Sequence, residues 1–296
     1  MLEIIDLESW DDFENEIKST INDQIDDNIN ANVNGWSFDP VLFRGQPNAK
    51  WELQTTLERH AGKNKPLDFY REFISILLPE IETFTGKKWD IDSNEEKDNE
   101  LALDYDLPAD VMRMLPLEYM TYLRHYGFPS PLLDWSSSPF VAAYFAFRDT
   151  ANKAERVAIY EYRQIINFRQ YTDPLEEAKK LKRPIITPLW FSEGIKNNKR
   201  HYLQQSIYTI CINVNSDKSY FDNHENLYPV TEEELDSYKK FEYIKKYTLP
   251  SSERGNALLH LEMYNVNSFS LMGTEESLLE TLFAKHVSRN SVGFFR

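Results

Sequence analysis

Helix-type and strand-type patterns interleave from one end of this 296-residue chain to the other. Residues 67–84 place apolar side chains at three- and four-residue spacing, the period of a helix that buries one face. Residues 157–162 and 206–214 have the length and apolar pattern of strands. We find no repeat and no clear linker. The interleaving predicts an α+β fold, with a mixed or antiparallel sheet and helices packed around it, in a single domain with insertions.

The predicted domain spans residues 40–288. Residues 1–39 precede it as a helix over 8–21 and a polar Asn/Asp-rich loop over 22–39. Residues 87–110 form an acidic insertion, which lacks the glycine and ligand positions of a calcium loop, so we predict no metal there. The other predicted elements are strands at 41–44 and 247–250 and helices at 117–126, 139–147, 175–181, 251–264 (capped by Ser251 or Ser252) and 274–285 (capped by Thr274).

Composition limits the classes of function. Lys and Arg total 33 against 48 Asp and Glu, a net charge of −15, which argues against non-specific binding of nucleic acid. Cys211 is the single cysteine and lies in a strand-like run, so we expect a buried core thiol and a reducing compartment. The N-terminus has no signal-peptide pattern, and no run of about 20 apolar residues exists. We therefore expect a soluble, cytoplasmic protein with no membrane partner.

The segment Val-Leu-Phe-Arg-Gly-Gln at 41–46 predicts a short buried strand that ends in a guanidinium and a glycine. Arg44 at such a strand end, beside Gly45, can contact a phosphate or carboxylate while the backbone comes close. The alternative is a structural salt bridge to one of the many acids. We count Gln46 with Arg44 and Gly45 as a ligand-binding candidate.

A second segment, residues 125–139, is predicted to be a loop that leads into a helix. Its serines Ser136, Ser137 and Ser138 could surround an anionic ligand together with the amides of the helix start. They could equally be a loop and a helix cap.

Two ionisable residues in this segment need partners. Asp134 lies between Leu133 and Trp135, where a bare carboxylate is costly, and we expect it to accept from backbone amides, His125 or Arg44. His125 could be an acid or base, or a hydrogen-bonded structural residue at a helix end. Both are ligand-binding candidates.

At these residues the chain resembles the FRG domain family, named for its Phe-Arg-Gly motif. The resemblance spans roughly residues 40–288. One departure is Pro131, which stands where the family usually has an arginine. The matching pieces are Phe43-Arg44-Gly45-Gln46, Trp51 with Leu53, residues 125–127 and 132–136, residues 142–146, residues 200–208 and the helix at 279–283.

The order of these motifs is similar to that of the ADP-ribosyltransferase superfamily, and this weaker resemblance implies a pocket that uses NAD as a substrate. It implies that Arg44 lies on the phosphate or ribose side and that Ser137 braces the site. The acceptor near the ribose hydroxyl falls at Gln204, which is neutral and cannot act as a base. Glu161, on the strand at 159–162, is the alternative carboxylate.

These resemblances lead to a first hypothesis, an FRG-domain protein with an NAD-using, transferase-like site, acting on a protein target as a toxin or defence effector. The second hypothesis is a non-catalytic module that senses a small nucleotide or binds a protein with the same pocket. The third is a hydrolase or nuclease that uses His125 and Asp134. The acidic balance and the lack of a metal-ligand pattern count against the third hypothesis.

Overall fold

The computed structural model describes residues 2–34, 41–91, 111, 114–149, 153–164, 184–189, 199–214, 218–227 and 242–289. The strands are β1 (Glu3–Asp6), β2 (Leu42–Gln46), β3 (Leu133–Ser136), β4 (Arg156–Gln164), β5 (Ile185–Leu189), β6 (Ser206–Val214), β7 (Ser219–Phe221) and β8 (Glu242–Pro250). The α-helices are α1 (Trp10–Asn34), α2 (Thr56–Ala61), α3 (Leu67–Thr85), α4 (Leu117–His125), α5 (Pro139–Phe147), α6 (Lys199–Leu203), α7 (Arg254–Met263), α8 (Ser268–Met272) and α9 (Glu275–Arg289), and short 3₁₀ helices cover His224–Leu227 and Ser251–Glu253.

Eight of these strands form one open mixed sheet, in the order β1-β8-β4-β2-β3-β6-β5, with β7 also paired to β6. β1 runs parallel to β8, and the other strand pairs are antiparallel. The predicted class, an α+β fold with a mixed sheet and surrounding helices, is confirmed.

Two helical layers cover different halves of the sheet. On one half, α1 and α5 pack their aromatic residues against β2, β4 and β8, in a buried cluster that includes Trp10, Phe13 and Phe147. On the other half, α3 and α4 pack against β6 through residues such as Tyr70 and Met120. The boundary between the halves falls between β2 and β3, which pair only at Phe43 and Ser136 in the described part of the chain.

Several predicted elements need correction. α1 continues to Asn34, so the polar segment from residue 22 is helical and not a loop up to that point. Residues 133–136, predicted as loop, form β3, because they pair in register with both β2 and β6. Neither Ser251 nor Ser252 caps α7, since a 3₁₀ turn intervenes.

Other predictions are confirmed or lie outside the described residues. α5 and β6 have the predicted bounds, Thr274 accepts a hydrogen bond from the Ser277 amide at the start of α9, and Cys211 is buried in β6. The predicted helix at 175–181 and most of the acidic insertion, from residue 92, lie outside the described residues. None of the described helices combines the length and apolar character that a membrane crossing requires.

Candidate functional site

A cavity of about 390 Å³ opens where β2 and β3 diverge, between the two helical layers. β2 and β3 supply its floor, α5 one wall, and α4, α6 and β6 the rest. We call it the Arg44 cleft. The residues that line it are Phe43, Arg44, Gly45, Pro47, Arg124, His125, Asp134, Trp135, Ser136, Val141, Ala142, Phe145, Arg200, His201, Gln204, Ser206 and Tyr208.

Gly45 allows β2 to lie directly against α5. A Cβ atom at this position would stand 1.9 Å from the carbonyl oxygen of Ala142 and 2.7 Å from the amide nitrogen of Ala146. Both are backbone atoms, so no rotamer change could relieve the overlap. The glycine of the Phe-Arg-Gly segment is therefore a packing requirement, and the contact sets the distance between the floor of the cleft and its α5 wall.

Arg44 reaches across the gap between the strands to Asp134. Its Nη1 donates to the main-chain carbonyl of Asp134 and lies 3.8 Å from the carboxylate Oδ2. Burial lowers the pKa of Arg44 to about 10, while Asp134 opposes and Arg124 adds to that shift. Arg44 therefore stays protonated at neutral pH. Its buried Nε has no hydrogen-bond partner among the described residues.

Arg124, in the last turn of α4, is the main partner of the Asp134 carboxylate. Its Nε donates to Oδ1 at 3.0 Å and its Nη2 donates to Oδ2, a two-pronged contact. Sequence reasoning expected backbone amides, His125 or Arg44 as partners of Asp134 and did not name Arg124, which contacts both carboxylate oxygens. The expected contact with Arg44 is confirmed. Asp134 thus joins two arginines at one point of the cleft.

The three serines have structural partners. Ser136 lines the cleft, donates from Oγ to the Gln204 carbonyl at 2.8 Å and accepts from the Ser138 amide. Ser137 donates from Oγ to the side-chain oxygen of Gln205 at 3.1 Å. Ser138 caps α5 by accepting from the Val141 amide at 3.3 Å. Their contacts fix the turn between β3 and α5, and Ser136 alone of the three lines the cavity.

Gln204 also lines the cleft, at the end of α6. Its side-chain Nε2 donates to the Leu271 carbonyl at 3.1 Å and lies 3.4 Å from the sulfur of Met272. α8 therefore holds the amide in place from behind. Gln46, by contrast, is buried outside the cleft and donates to the Glu52 carbonyl at 3.3 Å.

Two histidines face the cleft, one from each side. His125 follows Arg124 on α4, and His201 on α6 stacks on Tyr208 with ring centroids 5.6 Å apart and planes 19° apart. Burial lowers the pKa of His201 below its ordinary value, His125 adds to that shift, and Asp134 opposes it. Burial also raises the pKa of Tyr208, so its phenol stays neutral.

Glu161 does not reach the cleft. It lies on β4, on the far side of β2, and α1 covers it. The fully buried carboxylate accepts from Tyr243 and Tyr247 at 2.8 Å each and from Thr20 at 3.2 Å, with the Lys245 ammonium 3.7 Å away. The structure gives Glu161 the role of joining α1 to β4 and β8.

A buried polar chain lies behind the cleft. The Trp135 indole, which lines the cavity, donates from Nε1 to the Thr209 hydroxyl at 2.8 Å, and that hydroxyl lies 2.8 Å from Nε2 of His224. Burial lowers the pKa of His224 to about 3, and the charge of Arg44 adds to that effect. His224 is therefore a neutral, structural residue at physiological pH.

The cleft brings together the predicted Arg44, Gly45, His125, Asp134, Ser136 and Gln204, and leaves out Gln46, Ser137, Ser138 and Glu161. Sequence reasoning did not single out Arg124 or Arg200. Arg124 directly precedes the His-Tyr-Gly segment at 125–127. A cation in the last turn of a predicted helix, next to that segment, was the signal that could have marked it as a site residue. Among the described residues, no group of three or more His, Cys, Asp or Glu is placed to hold a metal ion.

Comparison with known protein families bears on the same residues. The family model described as FRG domain matches residues 39–155. The match identifies an FRG domain over residues 39–155 of the chain. The matched span holds β2, α4, β3 and α5, and so includes Arg44, Arg124 and Asp134. The rest of the cleft comes from residues after the matched span, which include Arg200, His201, Gln204 and Tyr208. No curated protein and no solved structure gave a significant match to the chain.

Proposed function

We propose that the Arg44 cleft of this FRG domain binds the phosphate groups of a nucleotide, with NAD as the first candidate. One observation carries the proposal. Among the described residues, three guanidinium groups, from Arg44, Arg124 and Arg200, and a single carboxylate, Asp134, line the cavity. This excess of positive charge occurs in a chain whose net charge is −15. Arginines are well suited to phosphate, because their fork of donors matches two oxygens at once.

The rest of the lining supports a ligand with a planar ring. Phe43, Val141 and Phe145 give the cleft an apolar side, and His201 and Tyr208 offer a stacked aromatic pair. A volume of about 390 Å³ falls within the usual range of small-molecule sites, roughly 300–1,000 Å³. A nucleotide combines an anionic part with an aromatic part, as this lining does.

The same geometry favours binding over fast catalysis. Cleavage of the bond between nicotinamide and ribose develops positive charge on the ribose, which a carboxylate would stabilise. Asp134 is already engaged by Arg124 and Arg44, and Gln204 supplies only a dipole. We infer a ligand-sensing domain whose turnover of NAD is slow. The engaged Asp134 also argues against its use as a base in a hydrolase or nuclease.

Calorimetric titration with NAD and with nicotinamide riboside tests the binding proposal. The two ligands share the nicotinamide and its ribose, and the riboside lacks the phosphates and the adenosine. Nicotinamide mononucleotide, which adds only one phosphate to the riboside, is therefore titrated as well and should bind more tightly than the riboside. NAD should bind and the riboside should bind far more weakly, because the arginines contact phosphate. Equal affinity for both, or no heat from either, would refute the proposal.

A second assay addresses turnover. Free nicotinamide would be quantified after incubating NAD with the wild-type protein and with Gln204→Glu. The variant places a carboxylate next to the Leu271 carbonyl, which should repel it toward the cleft. We expect slow or no release from the wild type and faster release from the variant. If NAD binds and the variant gains nothing, the domain is a binding module without latent transferase chemistry.

A further inference from the structure

The last described helix, α9, buries small polar side chains and exposes large apolar ones. Among the residues of α9 whose burial is described, which end at His286, the buried ones are the small polar Ser277 and Thr281, at 5% and 7% exposure. Its large apolar residues Leu279, Leu282 and Phe283 are 66%, 42% and 65% exposed. A surface helix normally buries its apolar stripe and exposes its polar one. We call Leu279, Leu282 and Phe283 the α9 stripe.

Polar contacts fix α9 in this orientation. The Thr281 hydroxyl accepts from the Phe269 amide of α8 at 2.9 Å, and Ser268 of α8 donates to Glu280. The Lys285 ammonium lies 2.6 Å from the Glu262 carboxylate of α7. A rotation that buried the α9 stripe would break all three contacts. The outward direction of the stripe is therefore a property of the packed domain.

The exposed apolar surface extends beyond α9. The Lys285–Glu262 ion pair places α7 beside α9, and α7 exposes Leu259 and Met263 at 62% and 75%. Two neighbouring helices thus both expose large apolar side chains, and larger apolar patches on a protein surface usually mark a contact with another molecule.

We propose that the α9 stripe binds the α9 stripe of a second copy of this chain, with the two helices antiparallel. Charge along the helix points to this occupant. Glu275 and Glu276 lie in its first turn, and Lys285 and His286 lie toward its end, where Lys285 also pairs with Glu262 of its own copy. An antiparallel pair brings the acidic end of each copy against the basic end of the other and opposes the two helix dipoles. Such a contact is self-complementary and closes as a two-fold dimer.

The register follows from the stripe. In an antiparallel pair, each step toward the C-terminus in one copy is matched by a step toward the N-terminus in the second copy. When Leu279 of one copy faces Phe283 of the second copy, Glu276 therefore faces His286, since each lies three residues further out. An anionic membrane is a poorer occupant, since the two glutamates of the first turn and the net charge of −15 would both be repelled.

Sedimentation velocity over a concentration series tests the dimer. The wild-type chain should shift from monomer to dimer as concentration rises, and Leu279→Glu combined with Phe283→Glu should remain monomeric. Phe84→Glu is the matched control, because Phe84 is 91% exposed on α3, away from the stripe, and this variant should still dimerise. A wild type that stays monomeric throughout, or a double variant that still dimerises, would overturn the proposal.

Cysteine cross-linking tests the register and the direction. The one native cysteine, Cys211, is buried in β6 and should not cross-link in the folded protein. A mixture of Leu279→Cys and Phe283→Cys proteins should form disulfide-linked pairs faster than either protein alone under mild oxidation. Faster cross-linking within each single variant would mean a parallel pair and would contradict the antiparallel assignment.

Discussion

At the scale of single residues, the central feature is one carboxylate that pairs with two arginines. Asp134 holds Arg124 with both oxygens and lies within ion-pair distance of Arg44. Its side chain is 40% exposed, so water shares in screening it. The carboxylate therefore serves to orient the guanidinium groups and to lower the net positive charge of the cleft.

Substitution of Asp134 separates this role from catalysis. Asp134→Asn keeps an oxygen for Arg124 and removes a negative charge, so NAD should bind several-fold more tightly with little loss of stability. Asp134→Ala leaves both arginines without the carboxylate and should cost about 2 kcal/mol, less than the roughly 3–5 kcal/mol of a fully buried pair. Calorimetry and urea unfolding would measure both quantities. Weaker NAD binding by Asp134→Asn would contradict the assigned role.

His224 gives a stability change with pH whose sign is fixed by burial. Its pKa is lowered from 6.5 to about 3, so between these values the unfolded chain binds more protons than the folded protein. Its contribution is fully present above pH 6.5 and is lost as pH falls toward 3. We expect it to amount to several kcal/mol, because each pKa unit corresponds to about 1.4 kcal/mol.

The comparison variant is His224→Gln, which can still contact the Thr209 hydroxyl and does not titrate. The free energy of unfolding in urea would be measured from pH 7 to pH 4 for both proteins. The wild type should lose more stability than the variant over that window. Identical pH profiles would show that His224 does not titrate as its burial implies.

Sequence reasoning at this scale identified polar residues that are unsuited to a core. Arg44, Asp134, His125 and the serines at 136–138 were candidates for one ligand site, and all of them except Ser137 and Ser138 line the cleft. Arg124 was missed because its partner lies ten residues away across a turn, and the pairing depends on how α4 meets β3. Glu161 was grouped with the site because its exclusion depends on strand order, which places β2 between β4 and the cleft.

At the scale of elements, the contact between β2 and α5 determines the width of the cleft. Gly45→Ala should cost about 3 kcal/mol or more, because the new Cβ overlaps the backbone of α5 at Ala142. Gly255→Ala is the control, since that glycine lies in α7 with nothing near its would-be Cβ, and the change should stabilise by about 0.5–1 kcal/mol. Urea unfolding would measure both. A neutral Gly45→Ala would contradict the close contact.

Elements with a long, regular pattern were predicted well, and short ones were not. α5 and β6 matched residue for residue, because a proline start and a long apolar run mark them clearly. β1 and β3 have four residues each, too few for a periodic signal, and their neighbours in the sheet define them. The Asn/Asp-rich part of α1 has weak helix propensity and was predicted as a loop, but the chain is helical there to Asn34.

At the scale of the whole molecule, this acidic chain groups three arginines at the junction of β2 and β3, where the two strands share few hydrogen bonds. Among the described residues, β2 and β3 share a single pair, and the two helical layers lie on either side of the gap between these strands. Arg44, Arg124 and Arg200 face that gap. The net charge predicted the absence of a broad anion-binding surface, while the location of a local basic site depended on the topology of the sheet.

The most direct test of the nucleotide-binding cleft is a calorimetric titration of NAD into the wild type, Arg44→Ala and Lys18→Ala, with thermal unfolding of each. Lys18 is an exposed cation on α1 outside the cleft and serves as the control. Arg44→Ala should weaken binding by roughly 10- to 100-fold, the equivalent of one or two charge-assisted hydrogen bonds. Its melting temperature should change little, because Arg124 still holds Asp134. Equal binding of NAD by Arg44→Ala and the wild type would contradict the account.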